Sequence, residues 1–151
     1  MTILIDSAII SEVKNCFASY PWVQGLSTNP KLLKMASEKV SPKSVIETLA
    51  SLTSGPFYYQ VHSKTETELL KECRLAQKIV GKNLRIKIMP SEQNYAFTYK
   101  YRSEFNFCFT AVLNLTQAKL AYEAGAGHIA VYVNRMLRNE LDPFELIGSV
   151  K

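Results

Sequence analysis

The chain has 151 residues, of which 47% are apolar and 21% charged. This composition excludes a disordered or fibrous protein and leaves enough chain to bury a core of its own. The 18 Lys+Arg against 13 Asp+Glu give a net charge of +5. The lysines run from Lys14 to Lys151 without a basic tract, so nucleic acid is not the expected partner.

The longest unbroken apolar run, Ile129 to Val133, is far too short to span a membrane. The start Met1-Thr2-Ile3-Leu4-Ile5-Asp6 lacks the basic head and long apolar stretch of a signal peptide. Cys16, Cys73 and Cys108 are odd in number and widely spaced. They read as free thiols of a soluble cytoplasmic protein with no membrane partner.

Along the chain, short apolar, β-branched or aromatic stretches alternate with segments of helical spacing. Thr2–Ile5 is followed by a stripe of Ile9, Ile10, Val13 and Phe17. Trp22–Leu26 precedes Ser41-Pro42, which opens a helix carrying Val45, Leu49 and Leu52; proline just inside a helix start does no harm because its missing N–H has no partner there. Phe57–His62 leads to a stripe of Leu69, Leu70, Cys73, Ala76 and Val80, with Gly81 in the C-cap position.

Leu84–Met89 is followed by Ser91–Ser103, where Tyr95, Phe97, Tyr99 and Tyr101 occupy alternate positions. That is strand spacing, but the alternation of elements predicts a helix here. Phe105–Ala111 leads to Leu115, Ala118 and Tyr122, ended by Gly125. The last apolar stretch is His128–Val133, and Asp142-Pro143 starts a final helix. Strands that are apolar on successive positions belong to a parallel sheet covered on both faces. The expected fold is α/β with right-handed crossovers. No linker or low-complexity tract divides the chain, so one domain over residues 1–151 is expected.

Parallel β/α folds gather reactive groups at the C-terminal ends of their strands. Polar residues fall there on each expected strand: Asp6, the run Ser27-Thr28-Asn29, Gln60, Lys87, Thr110 and Tyr132. Lys87 lies in Leu84-Arg85-Ile86-Lys87-Ile88-Met89-Pro90. A lysine desolvated in such a strand loses its charge more readily and becomes a nucleophilic amine, able to form a Schiff base with a carbonyl. Spacing alone favours another arrangement, with Lys87 and Arg85 pointing outward on an edge strand and Leu84, Ile86 and Ile88 inward.

Read together, these motifs resemble the small transaldolase family, which includes the fructose-6-phosphate aldolases. The resemblance rests on Asp6, Gly25-Leu26-Ser27-Thr28-Asn29-Pro30, Ile86-Lys87-Ile88-Met89-Pro90, Thr110, Gln117, Ala124-Gly125-Ala126-Gly127-His128-Ile129 and Tyr132-Val133-Asn134-Arg135. They occur in order, at close to the family's spacing, over nearly the whole chain.

The resemblance implies a (β/α) barrel and roles for particular residues. Lys87 falls on the Schiff-base lysine, Asp6 on the aspartate that assists proton transfer, and Thr110 on the threonine that positions the catalytic water. Asn29, with Ser27 and Thr28 beside it, falls on the motif that holds substrate hydroxyls. Arg135 falls on an arginine that contacts substrate phosphate, a task suited to guanidinium geometry. Gln60, Ala130 and Tyr132 stand where true transaldolases resemble one another in a glutamate and a serine–proline–phenylalanine sequence. The aldolase branch is therefore the better match, with Tyr132 as the proton relay.

The implied activity is class I aldol chemistry on a hydroxyketone or sugar phosphate, with no metal or other cofactor because the iminium is the electron sink. The alternative is a protein of the same fold that has lost catalysis and keeps a structural or binding role. Some positions depart from the family pattern. Ser27 replaces a threonine, Met89 intervenes before Pro90, Val131 replaces a proline, and the aspartate expected after Arg135 gives way to Met136-Leu137-Arg138-Asn139-Glu140.

An eight-unit barrel takes about 250 residues, so a barrel shortened at its C-terminus to about six units is expected. Unpaired sheet edges are costly, and the chain is expected to form a homo-oligomer. His62 and His128 are read as packed or solvated rather than metal-bound, Cys108 as a core thiol, and Trp22 as packing on the second strand.

Overall fold

A computed structural model describes residues 2–38 and 40–150 of the protein. Its strands are β1 (Ile3–Asp6), β2 (Val23–Ser27), β3 (Phe57–Gln60), β4 (Leu84–Ile88), β5 (Phe107–Val112) and β6 (His128–Val131). Its helices are α1 (Ile10–Ser19), α2 (Pro30–Ala36), α3 (Pro42–Ser51), α4 (Glu66–Val80), α5 (Glu92–Tyr101), α6 (Leu115–Glu123), α7 (Val133–Arg138) and α8 (Pro143–Ser149).

The strands form one six-stranded sheet in the order β1-β2-β3-β4-β5-β6. The pairs β1–β2, β2–β3 and β5–β6 are parallel. A doubly wound sheet reverses its strand order at a switch point; here every strand follows its predecessor. The architecture is that of a (β/α) barrel carrying six β/α units. All six residues of β5 are buried. The two terminal strands are more open, with Ile3 and Asp6 exposed on β1 and His128 exposed on β6.

The chain divides into two compact units, Met1–Ile86 and Lys87–Lys151. In the first, Val13, Leu26, Val45, Leu49, Phe57 and Leu69 form the core. Gly25 is required by close approach: a Cβ there would lie 2.5 Å from the Pro56 carbonyl oxygen. Ser41 accepts a hydrogen bond from the Ser44 N–H with Pro42 behind it, and Thr65 accepts one from Glu68. These caps start α3 and α4 where the sequence predicts them.

Trp22 differs from expectation. It is 60% exposed and sits in the turn before β2, its ring 5.6 Å from that of Tyr20. The adjacent Pro21 and Val23 take the chain into the strand, so the indole stays outside the core.

In the second unit, the aromatic segment is the helix α5. Ser91 caps it by accepting from the Asn94 N–H. The rings of this helix differ in burial. Tyr95 stacks on Phe109 at 4.8 Å, Phe97 meets Phe107 edge-on at 6.0 Å, and Tyr99 remains 56% exposed. The sixth strand ends at Val131, earlier than expected, because the chain turns at Tyr132 directly into the short helix α7.

Candidate active site

The first unit carries its candidates at the C-terminal ends of β1, β2 and β3. Asp6 and Ser27 are register partners, closing β1 and β2 side by side. The ladder continues past them, with the Ser7 N–H donating to the Ser27 carbonyl at 3.1 Å and the Thr28 N–H to the Tyr58 carbonyl at 3.0 Å. Asp6 is exposed and Ser27 half-buried, while Thr28 is fully enclosed.

Asn29 has a structural task that spacing did not reveal. Its Oδ1 caps α2 by accepting the Leu32 N–H at 3.0 Å. The cap occupies Oδ1 and fixes the side chain at the mouth of β2. Gln60 ends β3 and is half-buried. Asp6, Ser27, Thr28, Asn29 and Gln60 thus occupy three adjacent strand ends.

The second unit opens with Lys87, only 8% exposed. The outward arrangement that spacing favoured does not hold. β4 lies inside the sheet order, and Ile86, Lys87 and Ile88 are all buried. Arg85 is the residue that turns to the surface, its guanidinium donating to the Lys82 and Leu84 carbonyls. Burial pushes the Cys108 thiol up to about 12, and the positive charge of Lys87 acts on it in the opposite direction. Cys108 and Thr110 stand two residues apart on β5 and share a face. Thr110 is 1% exposed. Lys87, Cys108 and Thr110 are thus three buried side chains carrying polar atoms on the neighbouring strands β4 and β5.

Ala111, directly after Thr110, has φ +63° and forms a bulge, since Thr110 pairs with Ala130 and Val112 with Val131. The side chain of Gln117 fastens the loop beyond it, its Oε1 accepting the Leu113 N–H at 2.8 Å.

Tyr132 follows β6, its N–H donating to the Val112 carbonyl at 3.3 Å. The Arg135 guanidinium lies 4.7 Å from the centroid of the Tyr132 ring. Val131, Tyr132, Val133, Asn134, Arg135 and Arg138 line a surface cavity of about 500 Å³. Two of these residues are cationic and none is a carboxylate. Arg138 was not among the sequence candidates, and the signal available for it was its spacing of three from Arg135 on a short helix. Another cavity, of about 470 Å³, lies between α6 and the entry to β6 and contains none of the candidates.

A family profile described as Transaldolase/Fructose-6-phosphate aldolase matches residues 3–143. The chain belongs to this transaldolase/aldolase family. Curated relatives agree. A probable transaldolase of Caldicellulosiruptor saccharolyticus is 32% identical over 151 residues, spanning 99% of this chain and 68% of that protein. A probable transaldolase of Clostridium kluyveri is 30% identical over 151 residues, with 68% of its length covered. One of Myxococcus xanthus is 30% identical over 155 residues, with 66% covered. The profile's span takes in every strand end at which this transaldolase-family protein carries a candidate residue.

Proposed function

We propose that this transaldolase-family protein is a class I aldolase that forms an imine between Lys87 and a hydroxyketone or sugar phosphate. The observation that carries the reading is the burial of Lys87 to 8% exposure on an interior strand. A lysine is rarely enclosed without a task for its amine.

In the proposed reaction the Lys87 amine attacks the ketone carbonyl and water leaves, giving the iminium. The C–C bond of the bound sugar then breaks, its electrons entering the iminium to form an enamine, while the cleaved fragment departs as an aldehyde. Protonation of the enamine and attack of water release the ketone and restore the amine. Asp6 and Tyr132 move protons, Thr110 and Gln60 hold the water, and the Asn29 amide with Ser27 and Thr28 binds hydroxyls. Arg135 and Arg138 receive the phosphate, which the carboxylate-free lining of their cavity supports. Gln60, Ala130 and Tyr132 favour cleavage and addition over transfer to an aldose.

On this reading residues 1–151 act as one catalytic domain. The exposed apolar side chains of Leu137, Leu141, Phe144 and Ile147 support a homo-oligomer. The three free cysteines support a reducing, cytoplasmic setting.

Borohydride reduction in the presence of dihydroxyacetone, followed by peptide mass spectrometry, tests the central step. A stable adduct on Lys87, abolished in a folded Lys87→Met variant, is expected. An adduct on another lysine, or none with any small ketose, would overturn the reading.

A further inference from the structure

One carboxylate in the first unit makes an unusual number of contacts with one short segment. Glu72 projects from α4, with its side chain 13% exposed. Its Oε1 accepts from the Tyr59 hydroxyl at 2.8 Å and lies 3.0 Å from His62 Nδ1. Its Oε2 accepts from the His62 N–H at 3.2 Å, the Ser63 N–H at 3.0 Å and the Ser63 hydroxyl at 2.6 Å. Every one of these partners lies between residues 59 and 63, and the carboxylate holds the chain on both sides of Gln60.

The direction of Gln60 follows from this grip. Successive side chains of a strand point to opposite faces. Tyr59 reaches α4, so Gln60 is turned to the face away from that helix. Beyond Gln60 the backbone leaves the strand. The N–H groups of His62 and Ser63 find in Glu72 an acceptor that a free loop would seek in water.

The carboxyl is built for the ionised state. Burial alone would push it up, but the hydrogen bonds from the Ser63 and Tyr59 hydroxyls and from the two backbone N–H groups outweigh burial and hold it below its ordinary value. A negative charge half-removed from water is costly unless such donors surround it, and this one gathers its donors from a single loop.

We infer that Glu72 is a positioning residue that fixes Gln60 at the C-terminal end of β3 by clamping the β3–α4 turn on both sides of it. The inference rests on the reading of Gln60 as part of the aldolase site. It adds a residue on an outer helix to the groups on which turnover depends.

A double-mutant cycle on the full chain tests it. Glu72→Gln puts an amide N–H₂ among the donors and weakens the clamp. Steady-state cleavage should show kcat lowered by roughly 10-fold to 10²-fold, the scale of a small misplacement, with KM little changed. In the Gln60→Ala background the same substitution should cost nothing further, because a residue acting through Gln60 is not additive with it. If Glu72→Gln folds poorly, Ser63→Ala removes the shortest bond of the clamp and should show the same non-additivity on a smaller scale.

Losses that multiply in the double variant, or an unchanged kcat alongside faster amide exchange at His62 and Ser63, would overturn the inference and leave Glu72 a stabilising residue only. A wild-type chain that neither turns over nor traps an imine overturns both this inference and the aldolase reading. Failure of the cycle in an enzyme that traps normally overturns the inference alone.

Discussion

Tyr132 and Arg135 are stacked, the guanidinium 4.7 Å from the ring centroid, with Tyr132 at the N-cap of α7 and Arg135 one turn further on. The ring supplies a flat face for the cation and the hydroxyl supplies an exchangeable proton, and these two contributions separate by mutation. Tyr132→Phe keeps the face and removes only the hydroxyl. It should lower kcat by ~10² to 10⁴, the worth of a positioned acid or base, without raising KM for a phosphorylated substrate. Tyr132→Ala should also raise KM, because Arg135 loses a contact worth about 0.5–1 kcal/mol. A Tyr132→Phe enzyme at full rate, with transfer to an aldose acceptor predominating, would refute the aldolase assignment.

The buried thiols make stability depend on alkaline pH. Burial pushes Cys73 and Cys108 from 9.0 to about 12. The unfolded chain therefore releases these protons at a lower pH than the folded one. Between these values the folded state binds more protons, so stability falls as pH rises; it is fully present below 9.0 and lost on the way to about 12. Each thiol should cost about 1 kcal/mol between pH 9 and 10, given 1.36 kcal/mol per pH unit at full difference. Urea midpoints across that range should fall, and Cys73→Ala should make the fall shallower. An unchanged slope in that variant would exclude Cys73 as a source.

The strands were legible because they are continuous apolar runs, and α3, α4 and α6 because each pairs an apolar stripe with a capping residue or a terminal glycine. The helices α2 and α7, with seven and six residues, are too short for a period to emerge. The side of the sheet that Lys87 faces was not readable from spacing. Ile86-Lys87-Ile88 alternates as an edge strand would, and only the neighbouring strands turn it into a strand buried on both sides. Asn29 was legible as a motif residue but not as a helix cap, since α2 is too short to mark its own start. Glu72 gave no signal at all, because a glutamate on an amphipathic helix ordinarily faces water and its partners lie nine to thirteen positions earlier.

Ala111 holds φ +63° immediately after Thr110, a backbone region that costs an L-residue about 1–2 kcal/mol. The bulge it creates shifts the β5–β6 register between Thr110 and Val112, which sets the height of Thr110 on the sheet. Glycine adopts this conformation without a Cβ clash but loses more entropy on folding. Ala111→Gly should therefore leave stability unchanged or raise it by up to about 1 kcal/mol. Ala111→Val should lower it by more than about 1 kcal/mol. Denaturant unfolding of the three proteins decides the matter. A Gly variant less stable than the Val variant would mean that the bulge is not the strained element.

The final prediction concerns α7 and α8. Leu137 is 52% exposed, Leu141 45%, Phe144 69% and Ile147 42%. Single exposed apolar residues are ordinary, but four within eleven positions of α7, α8 and the turn between them form a patch of the kind that marks an association surface. Asp142 caps α8 by accepting from the Phe144 and Glu145 N–H groups, so Phe144 is presented on an ordered helical turn rather than on a loose tail. The proposed homo-oligomer should bury this patch, and light scattering of dilute protein should give a mass well above 17.1 kDa. Leu141→Glu combined with Phe144→Glu places two charges in the patch and should shift the mass toward the monomer while the fold, followed by circular dichroism, is retained. A wild-type chain that stays at 17.1 kDa and unfolds cooperatively would show that the patch needs no second copy. A mass unaffected by both charges would place the association surface elsewhere.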